Sequence, residues 1–124
     1  MSEGKYKLIS NLVTDEIPIV LLELNESALA FITREQFEKA LLLLQKAHGV
    51  LDVVDISQSK RDQMIAIEIF YNMALCYQKL GQLEECALCL ETCLDHLGSE
   101  FLGLKDKSIA MRLVKLKLET KVRM

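Results

Sequence analysis

The chain repeats its own pattern at a spacing of 46 residues. When the sequence is shifted by that distance, large apolar residues align with large ones and small residues with small ones. Self-similarity at a fixed spacing is typical of repeat architectures, in which each unit buries its apolar face against the next. The fold is therefore constrained to contain two similar units. The aligned pairs are Leu24 with Phe70, Ala28 with Ala74, Leu29 with Leu75, Phe31 with Tyr77, Phe37 with Leu83, Ala40 with Cys86, Leu44 with Leu90, Ala47 with Cys93, and Leu51 with Leu97.

Each copy has the periodicity of α-helices, because its apolar residues recur at three- and four-residue steps. The 124 residues include one proline, five glycines and no tryptophan, so residues typical of sheets and their turns are scarce. The pattern predicts an all-α fold with helices over residues 14–33, 33–54, 63–81 and 82–98. The first copy shows it in Val20, Leu21, Leu24, Ala28 and Phe31, then in Phe37, Ala40, Leu41, Leu44, Ala47 and Leu51.

Local signals predict where these helices begin and end. Thr33 is followed three residues later by Gln36, a spacing that predicts a capping box at the start of the second helix. Gly81 predicts a left-handed end to the third helix. Residues 55–62 are the most polar interruption and are interpreted as a loop or a loosened helix end.

The C-terminal residues 107–124 fit two patterns. Residues 113–118 alternate as a strand would, whereas Ile109, Leu113, Leu116 and Thr120 fit one face of a helix. A single strand would have nothing to pair with in an otherwise helical chain. We therefore predict a helix here.

The second copy resembles the tetratricopeptide repeat, a helix-turn-helix unit of 34 residues. In that family a small residue and an aromatic mark the first helix, a glycine marks the turn, and alanines alternate with large residues in the second helix. The first copy departs from the pattern, because Glu35 replaces the turn glycine. Both copies lack the closing proline of the family. The 46-residue spacing between the copies is also twelve residues longer than the 34-residue period of the family. The matching positions are Asn72, Ala74, Tyr77, Gly81, Leu83, Cys86, Leu90, Cys93 and Leu94 in the second copy, and Ala28, Phe31, Phe37, Ala40, Leu44 and Ala47 in the first.

The resemblance implies a single domain over residues 1–124. It would contain two antiparallel helix-turn-helix repeats, at about residues 21–54 and 67–98, with flanking N- and C-terminal helices, arranged as an α-α superhelix. A C-terminal capping helix is expected over about residues 106–122.

The resemblance also implies a function, because the first helices of such repeats line a concave face that holds a peptide or a partner helix. We expect a non-catalytic protein–protein interaction module, either a scaffold or an adaptor subunit. In one subtype, lysines and asparagines clamp a chaperone's C-terminal carboxylates. Here Asn25 and Leu29 replace a lysine and an asparagine of that clamp, so it is not expected. The partner-binding candidates are Asn25, Leu29, Ile32, Glu68, Tyr71, Asn72, Leu75, Gln78 and Lys79.

All four cysteines lie between residues 76 and 93, close to His96, so a metal site has to be weighed. Cys86 and Cys93 fall where the repeat places alanine, and a free cysteine packs as a small hydrophobe. Ligands spread along one helix cannot surround zinc tetrahedrally. We therefore expect a packing role, no metal and no cofactor. A reactive thiol at Cys89 is the alternative.

The charge distribution and the motifs of the sequence limit the functions that remain. Residues 105–124 carry seven Lys or Arg and two acids, whereas the rest of the chain is acidic. An acidic body argues against nucleic acid as the main partner.

No glycine-rich phosphate loop or catalytic constellation is present in the sequence, so we expect no enzyme. With no membrane-spanning or signal segment, a cytoplasmic location is expected. The alternatives are a homo-oligomerising component and a membrane-surface or nucleic-acid accessory that uses the basic C-terminal helix.

Overall fold

A computed structural model of the chain describes residues 17–54, 59–97, 115–117 and 119–122, with the backbone alone at residues 17, 96 and 97. Residues 115–117 and 119–122 are also helical and are called the C-terminal helical segment. All the regular secondary structure in these ranges is helical, which confirms the all-α prediction. The four long helices are α1 (Ile17–Thr33), α2 (Phe37–Asp52), α3 (Lys60–Lys79) and α4 (Leu83–Leu97).

The turn between α3 and α4 is closed by glycine, as the sequence predicts. Gly81 has a φ of 79°, in the left-handed region that a residue without a Cβ adopts freely. Its amide donates to the Gln78 carbonyl at 3.1 Å, and the Gln82 amide donates to the Tyr77 carbonyl at 2.8 Å. This pair of bonds is the Schellman motif, which satisfies carbonyls at the helix end.

The turn between α1 and α2 has the same geometry, displaced by 46 residues. Glu35 takes the left-handed position with a φ of 60°. The Glu35 amide donates to the Ile32 carbonyl and the Gln36 amide to the Phe31 carbonyl, both at 2.9 Å. A residue with a Cβ pays roughly 1–2 kcal/mol for this conformation. The first copy therefore keeps the turn of the repeat without its glycine.

One predicted cap is wrong and another was overlooked. Thr33 does not cap α2, because it is the last residue of α1 and its hydroxyl donates to the Leu29 carbonyl at 2.9 Å. The N-cap of α2 is Gln36, which makes no side-chain capping bond. In contrast, the Ser59 hydroxyl accepts from the Asp62 amide at 3.2 Å and caps α3. The third helix therefore begins at residue 60, inside the segment predicted to be a loop or a loosened helix end.

The helices pack in chain order around one core. α1 contacts α2, α2 contacts α3, α3 contacts α4, and α1 also contacts α3. Small side chains allow helices to approach closely. Among the described residues, no helix combines the length and apolar character needed to cross a membrane. The small core residues with no exposed surface are Ala28, Ala40, Ala47, Ala66, Ala74, Cys76, Cys86 and Cys93.

The C-terminal helical segment packs against α3 and α4 through Thr120, which is 2% exposed. The Thr120 hydroxyl accepts from Nε2 of Gln78 at 3.2 Å and donates to the Leu116 carbonyl at 2.8 Å. The Cys86 sulfur lies 3.3 Å from the same oxygen, in a hydrogen bond to which either group can donate. These contacts confirm the helical prediction at residues 116 and 120. Residues 106–114 of the predicted cap lie outside the described ranges.

Candidate functional site

A surface groove of about 390 Å³ lies between α1 and α3. These are the first helices of the two copies, so the groove is on the face where the repeat resemblance places a partner. Two of its residues come from α1 and four from α3. The lining residues are Leu22, Asn25, Arg61, Met64, Ile65 and Glu68.

The floor of the groove is apolar. Leu22 is 42% exposed, Met64 is half-buried and packs against the core, and Ile65 is buried. A partner side chain that covered this floor would remove apolar surface from water, which is favourable at roughly 25 cal/mol per Å².

A charged pair stands at the end of the groove where α3 begins. Nε of Arg61 lies 3.7 Å from Oδ1 of Asp62. Asp62 is 8% exposed, and its Oδ1 makes no hydrogen bond to any described residue. The Arg61 charge is therefore partly balanced by a sequestered carboxylate.

Two asparagines join the helices beside the groove. Nδ2 of Asn72 on α3 donates to Oδ1 of Asn25 on α1 at 2.7 Å, and each residue is 4% exposed. Burial makes such a bond costly to break, because the group left behind would lose this partner in a place where water has little access. The bond therefore fixes the alignment of α1 against α3. It also leaves the two N–H groups of Asn25 as candidate donors to a molecule in the groove.

Three of the nine predicted partner-binding residues are buried, and their contact with a partner stays a prediction. Asn25 and Asn72 face each other, and Asn25 reaches the groove only with the edge of its amide. Gln78 is 3% exposed because the C-terminal helical segment covers it at Thr120.

The other six predicted residues are accessible to different degrees. Leu29 and Lys79 are exposed, and Glu68 is half-buried on the groove wall. Ile32, Tyr71 and Leu75 are half-buried and pack against the core. Contact of these six residues with a partner stays a prediction.

The sequence reasoning missed four residues of the groove. Arg61 lies in the segment interpreted as a loop or a loosened helix end, although Ser59 and Asp62 together are a readable start signal for α3. Leu22 lies three residues before Asn25 and seven before Leu29, which places the three on one side of α1. Met64 and Ile65 precede the part of α3 that matches the first copy. The missed residues are Leu22, Arg61, Met64 and Ile65.

The cysteines occupy the helix contacts. Cys76, Cys86 and Cys93 have no exposed surface, and the Cys93 thiol donates to the Ile67 carbonyl at 3.5 Å. Burial raises the pKa of Cys76 and of Cys93 to about 12. It also raises the pKa of Cys86, although the hydrogen bond with Thr120 acts in the opposite direction. Within the described ranges, no group of three or more His, Cys, Asp or Glu side chains could hold a metal ion.

Cys89 does not have the environment of a reactive thiol. Burial, followed by the neighbouring Cys86 and Glu85, raises its pKa to about 11. A reactive cysteine has a lowered pKa, because the thiolate is the nucleophile. The structure therefore argues against the alternative role of Cys89.

A second, smaller cavity of about 160 Å³ lies between α4 and the C-terminal helical segment. Its lining residues are Ala87, Leu90, Glu91, Lys117, Thr120 and Lys121.

Comparison of the chain with protein-family models, with curated proteins and with solved structures finds no match.

Proposed function

We propose that the chain is a non-catalytic protein–protein interaction module, a scaffold or adaptor subunit that binds a short peptide or a partner helix. The binding site is the groove between α1 and α3. The observation that carries the proposal is that the first helices of both copies jointly form an open groove with an apolar floor.

The architecture we propose is a tetratricopeptide-like α-α superhelix of two repeats. Two features support it. The helices contact one another in chain order, with an added contact between the first helices of the two pairs. In addition, the turns at residues 31–36 and 77–82 make equivalent backbone hydrogen bonds, and each places one residue in the left-handed region.

The chemistry of the groove favours binding over catalysis. Its floor is formed by Leu22, Met64 and Ile65. Its polar groups can donate and accept hydrogen bonds along a bound chain. Apolar floors with a few placed polar groups are typical of recognition sites. We place this module in the cytoplasm, where thiols such as the four free cysteines stay reduced.

The groove can be tested by photo-crosslinking from two matched positions. Leu22 lies in the groove, and Leu42 is 62% exposed on α2 away from it. A benzophenone amino acid placed at position 22 should crosslink the cellular partner, identified by mass spectrometry. The same group at position 42 should give no such product.

A pair of charge substitutions completes the test. Leu22→Asp should abolish recovery of that partner, whereas Leu42→Asp should preserve it, with circular dichroism confirming that both variants fold. Equal crosslinking from both positions, or partner binding that survives Leu22→Asp, would exclude the groove.

Homo-oligomerisation is a second candidate, favoured by one observation. Leu42 and Leu88 occupy equivalent positions of the two copies on α2 and α4, and they are 62% and 63% exposed. Paired apolar residues on the outer helices could pack against a second copy. Native molecular weight by light scattering tests this, because Leu42→Asp with Leu88→Asp would convert such an oligomer to a monomer.

A membrane-surface or nucleic-acid accessory is the third candidate, since Lys115, Lys117 and Lys121 are exposed on the C-terminal helical segment. Steep loss of liposome or RNA binding as salt is raised would favour it.

A further inference from the structure

The outer face of α2 carries an exposed apolar line along its length. Leu42 is 62% exposed, and Val53, the C-cap residue of the helix, is 56% exposed. Gly49 lies between them, and a Cβ at that position would meet no atom within 4 Å. Spacings of seven and four residues place the three on one side of the helix. Asp52, next to this line, is already held by His48, whose Nε2 lies 3.7 Å from its Oδ1.

Opposite charges flank the apolar line. Glu38 lies four residues before Leu42 and Gln45 lies three after it, so these two form one edge of the face. Lys39 lies three residues before Leu42 and Lys46 lies four after it, so the lysines form the other edge. All four flanking side chains are exposed. The face therefore has an acidic edge and a basic edge with apolar surface between them.

A surface groove of about 440 Å³ runs along the acidic edge, between α2 and the turn that joins α3 to α4. Its floor is apolar, because Leu41 is 9% exposed and Leu80 is half-buried. Such a groove suits a lysine, whose four-carbon stem covers apolar surface while its ammonium group reaches a carboxylate at the rim. The lining residues are Glu38, Leu41, Leu42, Gln45, Leu80 and Gln82.

α4 has the equivalent exposed leucine without the two oppositely charged edges. Leu88 is 63% exposed. Where α2 has a lysine and a glycine beside its leucine, α4 has Glu85 and Asp95. α4 contains four acids and no lysine or arginine. Two such faces brought together would oppose like charges, which is unfavourable. Of the two outer helices, α2 is therefore the one whose face is complementary to itself.

We infer that the outer face of α2 binds a second copy of the chain, with the two α2 helices parallel about a two-fold axis. Rotation about an axis parallel to the helix places each edge of one α2 opposite the other edge of the second. Glu38 then faces Lys39 of the second copy, and Lys46 of the second copy lies beside Gln45 in the groove. An antiparallel pair would oppose the two basic edges, so charge selects the parallel arrangement.

This inference rests on homo-oligomerisation, the second candidate above, and is independent of the groove between α1 and α3. Sedimentation equilibrium of the full chain at several concentrations measures the dissociation constant of the dimer. Leu42→Asp should weaken the dimer by about 100-fold or more, because it places two charges in the apolar contact. Leu88→Asp makes the same change on α4 and should alter the constant by less than about twofold. A monomeric wild-type chain, or equal losses in the two variants, would overturn the inference.

An exchange of charges tests the parallel arrangement. Glu38→Lys should weaken the dimer by about tenfold, because the two-fold axis repeats the lost ion pair and turns both contacts repulsive. Combining Glu38→Lys with Lys39→Glu should restore the constant to within about threefold of the wild type. Nζ of Lys39 also lies 5.9 Å from the centre of the Phe31 ring, so circular dichroism confirms the fold of this double variant.

The matched control is Glu84→Lys, the same charge change at the equivalent position of α4, which should alter the constant by less than about twofold. If it weakens the dimer as much as Glu38→Lys, only net charge matters and the contact at Glu38 is rejected. A folded double variant that stays as weak as Glu38→Lys would overturn the parallel arrangement.

Failure of this inference is distinguishable from failure of the leading proposed function. A monomeric chain that still crosslinks its cellular partner from position 22 rejects the α2 dimer alone. A dimer that depends on Leu42, in a chain that gives no partner crosslink from position 22, rejects the groove between α1 and α3 alone.

Discussion

The α1–α2 pair and the α3–α4 pair place similar residues at equivalent positions, and they differ at the turn and at the small core positions. The turn residue is Glu35 in the first pair and Gly81 in the second, with the same left-handed backbone. Where the first pair has Ala40, the second has Cys86, and both are fully buried. Shape is therefore preserved between the copies while side-chain chemistry varies.

The pairs also differ in what covers their first helix. Ile32 of α1 is half-buried, whereas its equivalent in α3, Gln78, is 3% exposed beneath the C-terminal helical segment. A buried amide needs a hydrogen-bond partner, and Thr120 supplies it. The C-terminal helical segment therefore shields this end of α3 from solvent, whereas the equivalent end of α1 stays partly accessible.

The largest expected effect tests whether the two pairs share one core. Leu44 and Leu90 are equivalent, and both are buried in the same apolar cluster. Leu44→Ala and Leu90→Ala should each lower the free energy of unfolding by about 2–5 kcal/mol, because each leaves a cavity. Urea unfolding followed by circular dichroism should show a single transition in both variants. Two separate transitions, or a cost below about 1 kcal/mol for Leu90→Ala, would mean that the second pair is stabilised independently.

The second-largest expected effect is the loss of stability at high pH that the buried thiols of the second pair cause. Cys76 and Cys93 have pKa values raised from 9.0 to about 12 by burial. Below pH 9 both the folded and the unfolded forms keep the thiol protons, so the full contribution of these thiols to the free energy of unfolding is present. As the pH rises from 9 towards 12, the unfolded chain releases the protons first and stability falls, by about 1 kcal/mol per thiol at pH 10.

Alanine is what the first copy has at both equivalent positions, Ala30 and Ala47. A variant with Cys76→Ala and Cys93→Ala should therefore lose less stability than the wild type between pH 8 and pH 10. Urea unfolding at a series of pH values measures the two slopes. Identical slopes would show that these thiols ionise as easily in the folded chain as in the unfolded one.

A third prediction concerns the size limit at the small positions. Cys86 has no exposed surface, and its equivalent in the first pair is Ala40. Cys86→Leu should destabilise by about 1–3 kcal/mol through overpacking. Cys86→Ala should lower the free energy of unfolding by about 1 kcal/mol or less, because alanine already fills the equivalent position in the first pair. Thermal melts of the two variants measure the difference, and a leucine variant as stable as the alanine variant would show that the position is loosely packed.

Helix periodicity, the matched copies and Gly81 were predictable because they depend on residues close together in sequence. The start of α3 at Ser59 was also predictable from neighbouring residues, although the segment was interpreted as a loop or a loosened helix end. The left-handed turn at Glu35 was not predictable from the residue itself, since glutamate rarely adopts that conformation. It follows only from equivalence with Gly81.

The nine predicted partner-binding residues lie on α1 and α3, and the structure buries three of them. The bond between Asn25 and Asn72 depends on the alignment of α1 with α3, which a pattern within either helix cannot determine. Burial of Gln78 depends on where the C-terminal helical segment lies. Both are tertiary effects that override the exposure expected from helical spacing.

The smallest expected effect exchanges the turn residues of the two pairs. Glu35→Gly should raise the free energy of unfolding by about 1 kcal/mol, because it removes the left-handed strain of a residue with a Cβ, partly offset by the greater flexibility of glycine in the unfolded chain. Gly81→Glu should lower it by a similar amount, and space is not the obstacle, since a Cβ at this position would meet no atom within 4 Å. Opposite shifts of the thermal midpoint would show that backbone conformation alone separates the two turns. If Glu35→Gly is destabilising instead, the Glu35 side chain must stabilise the first turn by more than the strain it imposes, and the two turns would be equivalent in geometry but not in energetics.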